Sequence, residues 1–253
     1  MAAVPTKYRN LFSPRDQTSV RPPIIFPFPG EMRYGERMTK TTFSILLGGH
    51  LVLTERLTSA VSGARFIAAD GGMRHASMLG VVPELWVGDF DSSPEALGEA
   101  WPDVHRLPYP AQKAETDGAI AIDEAIRRGA DRLVLAGALG GERSDHALMH
   151  LLQGLRLAKE GYETLLTSGE EEAYPLLPGK VTVDLPPGSL FSVVGLSPLT
   201  GLSIDNARYP LQNFSLPLGS TRTISNIAEG AITLSLDSGD AMLLARPFDL
   251  TGA

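Results

Sequence analysis

Residues 65–91 read RFIAADGGMRHASMLGVVPELWVGDFD. Two short apolar runs, Arg65–Ala69 and Leu85–Val87, each stop at a cluster of glycine and aspartate: Asp70-Gly71-Gly72 after the first, Gly88-Asp89-Phe90-Asp91 after the second. Between them, Met73–Leu79 has helical spacing, and Gly80 suits the left-handed conformation that ends a helix. Short, continuously apolar runs fit strands buried on both faces. Strand, helix and strand in that order make the repeating unit of a parallel sheet.

The same rhythm extends to both sides. Upstream, Thr42–Leu47 is a strand closed by Gly48-Gly49, and Leu51–Ser62 suits a helix. Downstream, Pro94–Ala100 is a short helix with Ser92 or Ser93 as its N-cap, and Val104–Leu107 is a strand. The polar loop Gln112–Asp117 leads to a helix marked by Ala119, Ile122, Ala125 and Ile126 and ended by Arg127-Arg128-Gly129. Arg132–Leu139 is the most apolar strand and ends at Gly140-Gly141. Asp145–Glu160 is a long helix with Leu148, Leu151, Leu152 and Leu155 on one face. The expected fold class is α/β: a Rossmann-like, mostly parallel sheet with helices on both faces over residues 41–170.

After about Leu166 helical periodicity disappears. Short runs follow at Lys180–Leu185, Leu190–Leu196, Gly201–Ile204, Ala207–Leu211, Thr221–Ser225, Ala231–Leu236 and Ala241–Leu244. They are punctuated by Pro186-Pro187-Gly188, Asp205-Asn206 and Asp237-Ser238-Gly239. That spacing predicts a small all-β sandwich over 178–253, with the boundary near 168–178. Residues 1–40 are proline-rich and lack periodicity, which reads as a flexible or loosely docked extension. Met38 stands just before the first strand and suits a translation start.

Composition narrows the function. The 253 residues contain no cysteine, which excludes disulfides, thiolate catalysis and cysteine-bound metal. A formal charge of −7 argues against nucleic acid as the main partner. No apolar run approaches the roughly 20 residues of a membrane span, and the N-terminus lacks signal-peptide order. A cytoplasmic protein is the expectation.

In an open α/β sheet, ligands bind beyond the carboxyl ends of the strands. Gly48-Gly49, Asp70-Gly71-Gly72, Gly88–Asp91 and Gly140-Gly141 all fall at such ends, and Lys113–Asp117 lies in a loop before a helix. Asp89 and Asp91, one residue apart, resist ionising together unless a cation lies between them. Magnesium, held by one or two carboxylates plus substrate phosphates, fits, with Asp70 and Asp117 as further donors. The alternative is that these acids only form turns and caps. The glycines let backbone N–H groups approach phosphate oxygens, or simply make tight turns. Lys113 and Arg143 suit the charge of a transferred phosphoryl group, or are solvated surface cations. His146, after Asp145 at a helix start, would orient phosphates, move a proton, or do neither. His75 and His150 read as surface or packing residues.

In order, Ala69-Asp-Gly-Gly72, Gly88-Asp-Phe-Asp-Ser92, Lys113-x-x-Thr116-Asp117 and Gly137-Ala-Leu-Gly-Gly141 with Arg143-x-Asp145-His146 resemble the thiamin pyrophosphokinase family. The likeness continues through Tyr209-Pro-Leu211, Thr223-Ile-Ser225-Asn226 and Ser238-Gly239, and covers Thr42 to Leu244. The resemblance implies an ATP-binding α/β domain, a β-sandwich and a homodimer, with thiamin held between one subunit's α/β domain and the partner's β domain. It implies attack of the thiamin hydroxyl on the β-phosphorus of magnesium-ATP, giving thiamin diphosphate and AMP. By the same resemblance Asp70, Asp89, Asp91 and Asp117 hold magnesium and phosphates. Arg143, Asp145 and His146 act around the phosphates or the base. Ser225, Asn226 and Tyr209 touch thiamin. Beside the resemblance, Gly48, Gly49, Gly71, Gly72, Lys113, Thr116, Gly140 and Gly141 are the residues expected to bind the nucleotide. Three positions depart from the family pattern: Ala114 replaces the frequent aspartate, Glu142 is an extra residue, and His150 stands in place of asparagine. A kinase for another alcohol, or a sensor that binds without turnover, are the competing readings.

Overall fold

Buried apolar runs become strands wherever the chain can cover both of their faces, and five of them, with one short exposed edge strand, form the parallel part of the sheet. The structure, a computed structural model, describes residues 40–90, 95–109, 115–141 and 143–250. The N-terminal extension, Asp91, Ser92, Ser93, Lys113, Ala114 and Glu142 lie outside the described residues. The parallel strands are β1 (Thr42–Leu46), β2 (Arg65–Ala69), β3 (Leu85–Gly88), β4 (Arg106–Pro108), β5 (Arg132–Ala136) and β6 (Glu163–Thr167). They lie in the order β4-β3-β2-β1-β5-β6.

The helices are α1 (Glu55–Ala60), α2 (His75–Leu79), α3 (Glu95–Ala100), α4 (Asp117–Arg127) and α5 (Ser144–Lys159). Because side chains alternate along a strand, each strand feeds two cores. Leu46 of β1 packs with Leu57 and Ala60 of α1 and Ala76 of α2, while Phe43 and Ile45 pack with Ile120 and Ala125 of α4 and Leu155 and Leu157 of α5. Helices thus cover both faces.

The sheet does not stop at β6. Strand β7 (Glu172–Leu176) joins it antiparallel, and the order continues β13 (Ala241–Arg246), β9 (Leu190–Gly195), β12 (Asn226–Leu236), β10 (Leu199–Ala207) and β11 (Leu211–Leu216). β8 (Gly179–Val183) pairs with the second half of β12. The fold is a mixed sheet with helices, followed by an all-β C-terminal part whose inward residues, among them Val183, Phe191, Ile204, Ile232 and Leu243, belong to one core.

Four local expectations are corrected. The helix expected over Leu51–Ser62 begins only at Glu55. Val52 N–H donates to Ser168 O at 2.8 Å, which holds this segment extended, and Thr54 caps the helix by accepting from Leu57 N–H. Asp205-Asn206 is not a turn: β10 runs through it with a register shift, Asn206 at φ 60° and its amide bonded to Ala231 O. Thr221–Ser225 is a turn, closed by Ile224 N–H donating to Thr221 O, and β12 starts only at Asn226. The expected buried face of α5 is only half right. Leu155 is buried, but Leu148 and Leu152 are 52% and 38% exposed, because Gly154, Leu157 and Ala158 turn the other side of the helix to the core.

Candidate functional site

The parallel strands deliver their carboxyl ends to one edge, and the turns there interlock. Leu47 N–H donates to Ala136 O at 2.8 Å and Gly49 N–H to Gly137 O at 3.1 Å, which ties the turn after β1 to the turn after β5. A Cβ on Gly49 would lie 2.3 Å from Gly137 O, and one on Gly72 would lie 2.1 Å from Leu46 O, so only glycine fits either place. Gly141 reaches the same turn, with its Cβ position 3.6 Å from Gly49 Cα; Gly140 O lies 3.5 Å from the Gly49 Cβ position, and Arg74 bonds the carbonyls of both Gly48 and Gly71. The expected glycine turns are therefore brought together.

Asp70 follows β2 at φ 43°, the first residue of a 3-10 turn, Asp70–Arg74. Asp89 follows β3 and precedes Phe90, which sits at φ 60°. Left-handed backbone at such residues costs about 1–3 kcal/mol each and persists only when neighbours hold it. The neighbour here is Trp86: its Nε1–H donates to Asp70 O at 2.9 Å, and its ring meets Phe90 edge-on at 5.0 Å. Arg106 stacks over the Trp86 ring at 5.1 Å.

Asp117 opens α4, a position that suits a carboxylate because the helix dipole is positive there. Thr116 is that helix's N-cap, its hydroxyl accepting from Ala119 N–H at 3.2 Å. Gly118 packs close to Leu47 and His150. Arg143, the residue before α5, and Asp145, in its first turn, form an exposed bidentate pair at 3.0 and 2.8 Å. The guanidinium holds the Asp145 carboxyl well below the usual carboxylate range. His146 is exposed beside them, 6.3 Å from the His150 ring.

The sequence reading missed part of the site. His75, placed at the surface or in packing, is buried and donates from Nε2 to Gly49 O at 3.0 Å. His150 donates from Nδ1 to Ala138 O at 3.0 Å. Burial lowers both pKa values, helped at His75 by the charge of Arg74. Arg74 bridges turns, donating to Gly48 O, to Gly49 O at 3.2 Å and to Gly71 O at 3.4 Å. A cation and a histidine directly after an Asp-Gly-Gly turn were the available signal.

Ser225, Asn226 and Tyr209 lie apart from this edge, on the far side of β9, β13 and β7 in the sheet order. Asn226 is buried and committed: its Oδ1 accepts from Tyr209 N–H at 3.1 Å and its Nδ2 donates to Tyr209 O at 2.9 Å. Tyr209 is 60% exposed, and Ser225, at φ 59°, donates its N–H to Ser192 Oγ. Among the described residues no three acidic or histidine side chains converge into a metal cage.

The sequence pattern described as "Thiamin pyrophosphokinase, catalytic domain" matches residues 59–166, and that described as "Thiamin pyrophosphokinase, vitamin B1 binding domain" matches residues 180–239. The chain belongs to the thiamin pyrophosphokinase family. It is 29% identical over 192 residues to the thiamine pyrophosphokinase of Bacillus subtilis, covering 73% of this chain and 88% of that one. The crystal structure of the Bacillus subtilis thiamine pyrophosphokinase superposes with a TM-score of 0.72 at 25% identity, covering 81% of this chain and 99% of the other. That of the thiamin pyrophosphokinase from Geobacillus thermodenitrificans superposes at 0.69 with 27% identity, covering 81% and 97%. The Candida albicans thiamin pyrophosphokinase shares the fold at 14% identity, with a TM-score of 0.68 over 82% of this chain and 89% of the other. As a member of the thiamin pyrophosphokinase family the chain is an enzyme, and its catalytic-domain match spans Asp70, Asp89, Asp117, Arg143, Asp145 and His146. The B1-binding match spans Tyr209, Ser225 and Asn226. No helix among the described residues is long and apolar enough to cross a membrane.

Proposed function

We propose that this enzyme transfers the terminal pyrophosphoryl group of ATP to the hydroxyl of thiamin, giving thiamin diphosphate and AMP in one displacement. The observation that carries the reading is the meeting of the glycine turns after β1, β2 and β5 at one sheet edge with Asp70, Asp89 and Asp117. Backbone N–H groups of Gly48, Gly71, Gly72, Gly140 and Gly141 are suited to phosphate oxygens, as an open, Rossmann-like sheet offers at its carboxyl edge, while Gly49, its N–H bonded to Gly137 O, holds the rim together. Asp70, Asp89 and Asp117, with Asp91 and Lys113 from the segments outside the described residues, complete the charge pattern.

Two carboxylates on adjacent parallel strands are hard oxygen donors, and a magnesium ion takes one or two of these plus phosphate and water, so the residues fit that ion without a closed cage. Magnesium there would neutralise the charge that spreads over the transferred phosphoryl groups. Arg143 is held in place by Asp145, and His146, next in sequence and exposed, is the candidate for moving a proton. Thr116 supports Asp117 by capping α4.

Thiamin would lie against Tyr209 and Ser225. In one subunit these residues are far from the glycine turns along the sheet, which favours a homodimer in which a partner's sandwich-like β part completes each site. The exposed Leu148, Met149 and Leu152 on α5, next to His146, are an apolar face suited to such a contact. A cytoplasmic location accords with ATP as substrate.

The test is AMP release from magnesium-ATP with and without thiamin, with Asp89→Asn as control. Thiamin-dependent AMP that the amide variant abolishes while keeping its melting temperature is expected. ADP in place of AMP would make this a single-phosphoryl kinase. Binding of thiamin or ATP without turnover would make it a sensor.

A further inference from the structure

A buried indole N–H usually finds an acceptor, but this chain does not insist on one: the buried Nε1 of Trp101 has no partner among the described residues. Trp86 is different. It is fully buried on β3, and its Nε1–H leaves the strand ladder to donate to the carbonyl oxygen of Asp70 on the neighbouring turn. The same ring supports Phe90 edge-on, and Arg106 of β4 lies over both rings, at 5.1 Å and 5.9 Å. Asp70 and Phe90 are the two non-glycine residues of this sheet edge held at positive φ, and each carries or adjoins a candidate acid. A Cβ on Gly88 would sit 3.4 Å from Asp70 Cα, so the two turns are already in close packing.

We propose that Trp86 is a positioning residue that fixes the Asp70 turn relative to the Asp89 turn, and so sets the separation of the two carboxylates that receive the metal–nucleotide complex. This rests on the reading that those acids hold a divalent ion. Trp86 touches neither substrate nor ion. It acts through the Asp70 carbonyl on one side and the Phe90 ring on the other, much as the outer partners of metal ligands orient the ligands themselves.

Trp86→Phe keeps an aromatic ring, though a smaller one, and deletes the N–H; Phe90→Leu keeps the Trp86–Asp70 bond, removes the edge contact and alters a half-buried position that a fold tolerates. Mn2+ affinity is read from the electron paramagnetic resonance signal of free Mn2+ in the presence of α,β-methylene-ATP, which cannot be cleaved at the bond in question. The Mn2+ dissociation constant is expected to rise about tenfold to a hundredfold in Trp86→Phe, the range typical of losing an outer partner. A smaller rise is expected in Phe90→Leu, with the thiamin KM and the melting temperature of the latter little changed. Unchanged Mn2+ affinity in both variants, or in Phe90→Leu alone should the other not fold, overturns the proposal, as does Mn2+ binding no tighter in the unaltered chain than in Asp89→Asn. Thiamin-dependent AMP release is followed in parallel. A shifted Mn2+ affinity without AMP from the unaltered chain would remove the reaction and leave the positioning role. Normal AMP release with unshifted affinity would do the reverse.

Discussion

His75 and His150 each donate a proton to a carbonyl of a glycine turn, and each is kept neutral chiefly by burial. A histidine whose pKa falls on folding binds protons more readily in the unfolded chain. Its contribution is therefore complete above the unfolded value of about 6.5 and is lost as the pH drops below it. The margin in melting temperature between the unaltered chain and His75→Gln should then shrink between about pH 7 and about pH 5. A margin that stays constant over that range would mean that His75 does not titrate in this way. At this scale the acids and glycines were legible because they interrupt apolar runs. His75, His150, Arg74 and Trp86 were not, because their partners are backbone carbonyls, which every sequence supplies at every position.

At the scale of elements, α1 is fastened to β7 by a buried charge cluster. Arg56 makes two 2.8 Å bonds to Glu172, whose carboxylate also accepts from Tyr174 O–H at 2.6 Å, and Arg56 reaches Asp184 O as well. The Arg56 and Glu172 side chains are 14% and 3% exposed, so removing either leaves a charge with little water. Arg56→Met should cost about 3–5 kcal/mol in urea unfolding, and Arg56→Met combined with Glu172→Gln less than the sum of the single changes. Additive losses would show that the two side chains do not act as a pair. The central strands of the α/β part were readable because both faces are covered and the apolar runs are therefore long, unlike the exposed edge strand β4. The start of α1 was not, since the bond from Val52 to Ser168 joins residues more than a hundred positions apart. Nor was the bulge at Asn206, since Asp-Asn marks a turn and a bulge with the same local chemistry.

Across the whole molecule the exposed face of Leu148, Met149 and Leu152 and the position of Tyr209 beyond β9 are explained together if two copies associate. Met149→Glu should raise the dimer dissociation constant about tenfold or more, seen as a smaller species in sedimentation velocity, and activity should fall with dilution in step. A monomer with undiminished thiamin-dependent turnover would place both substrates within one chain. Strand β7 has a further consequence. It is bonded to β6 on one side and to β13 on the other, so the stretch between the catalytic-domain and B1-binding matches is itself woven into the sheet. Among the described residues this shared strand, rather than a bare linker, joins the two halves. The halves are therefore not interchangeable modules: a transplanted one would arrive with a raw edge where β7 used to be shared.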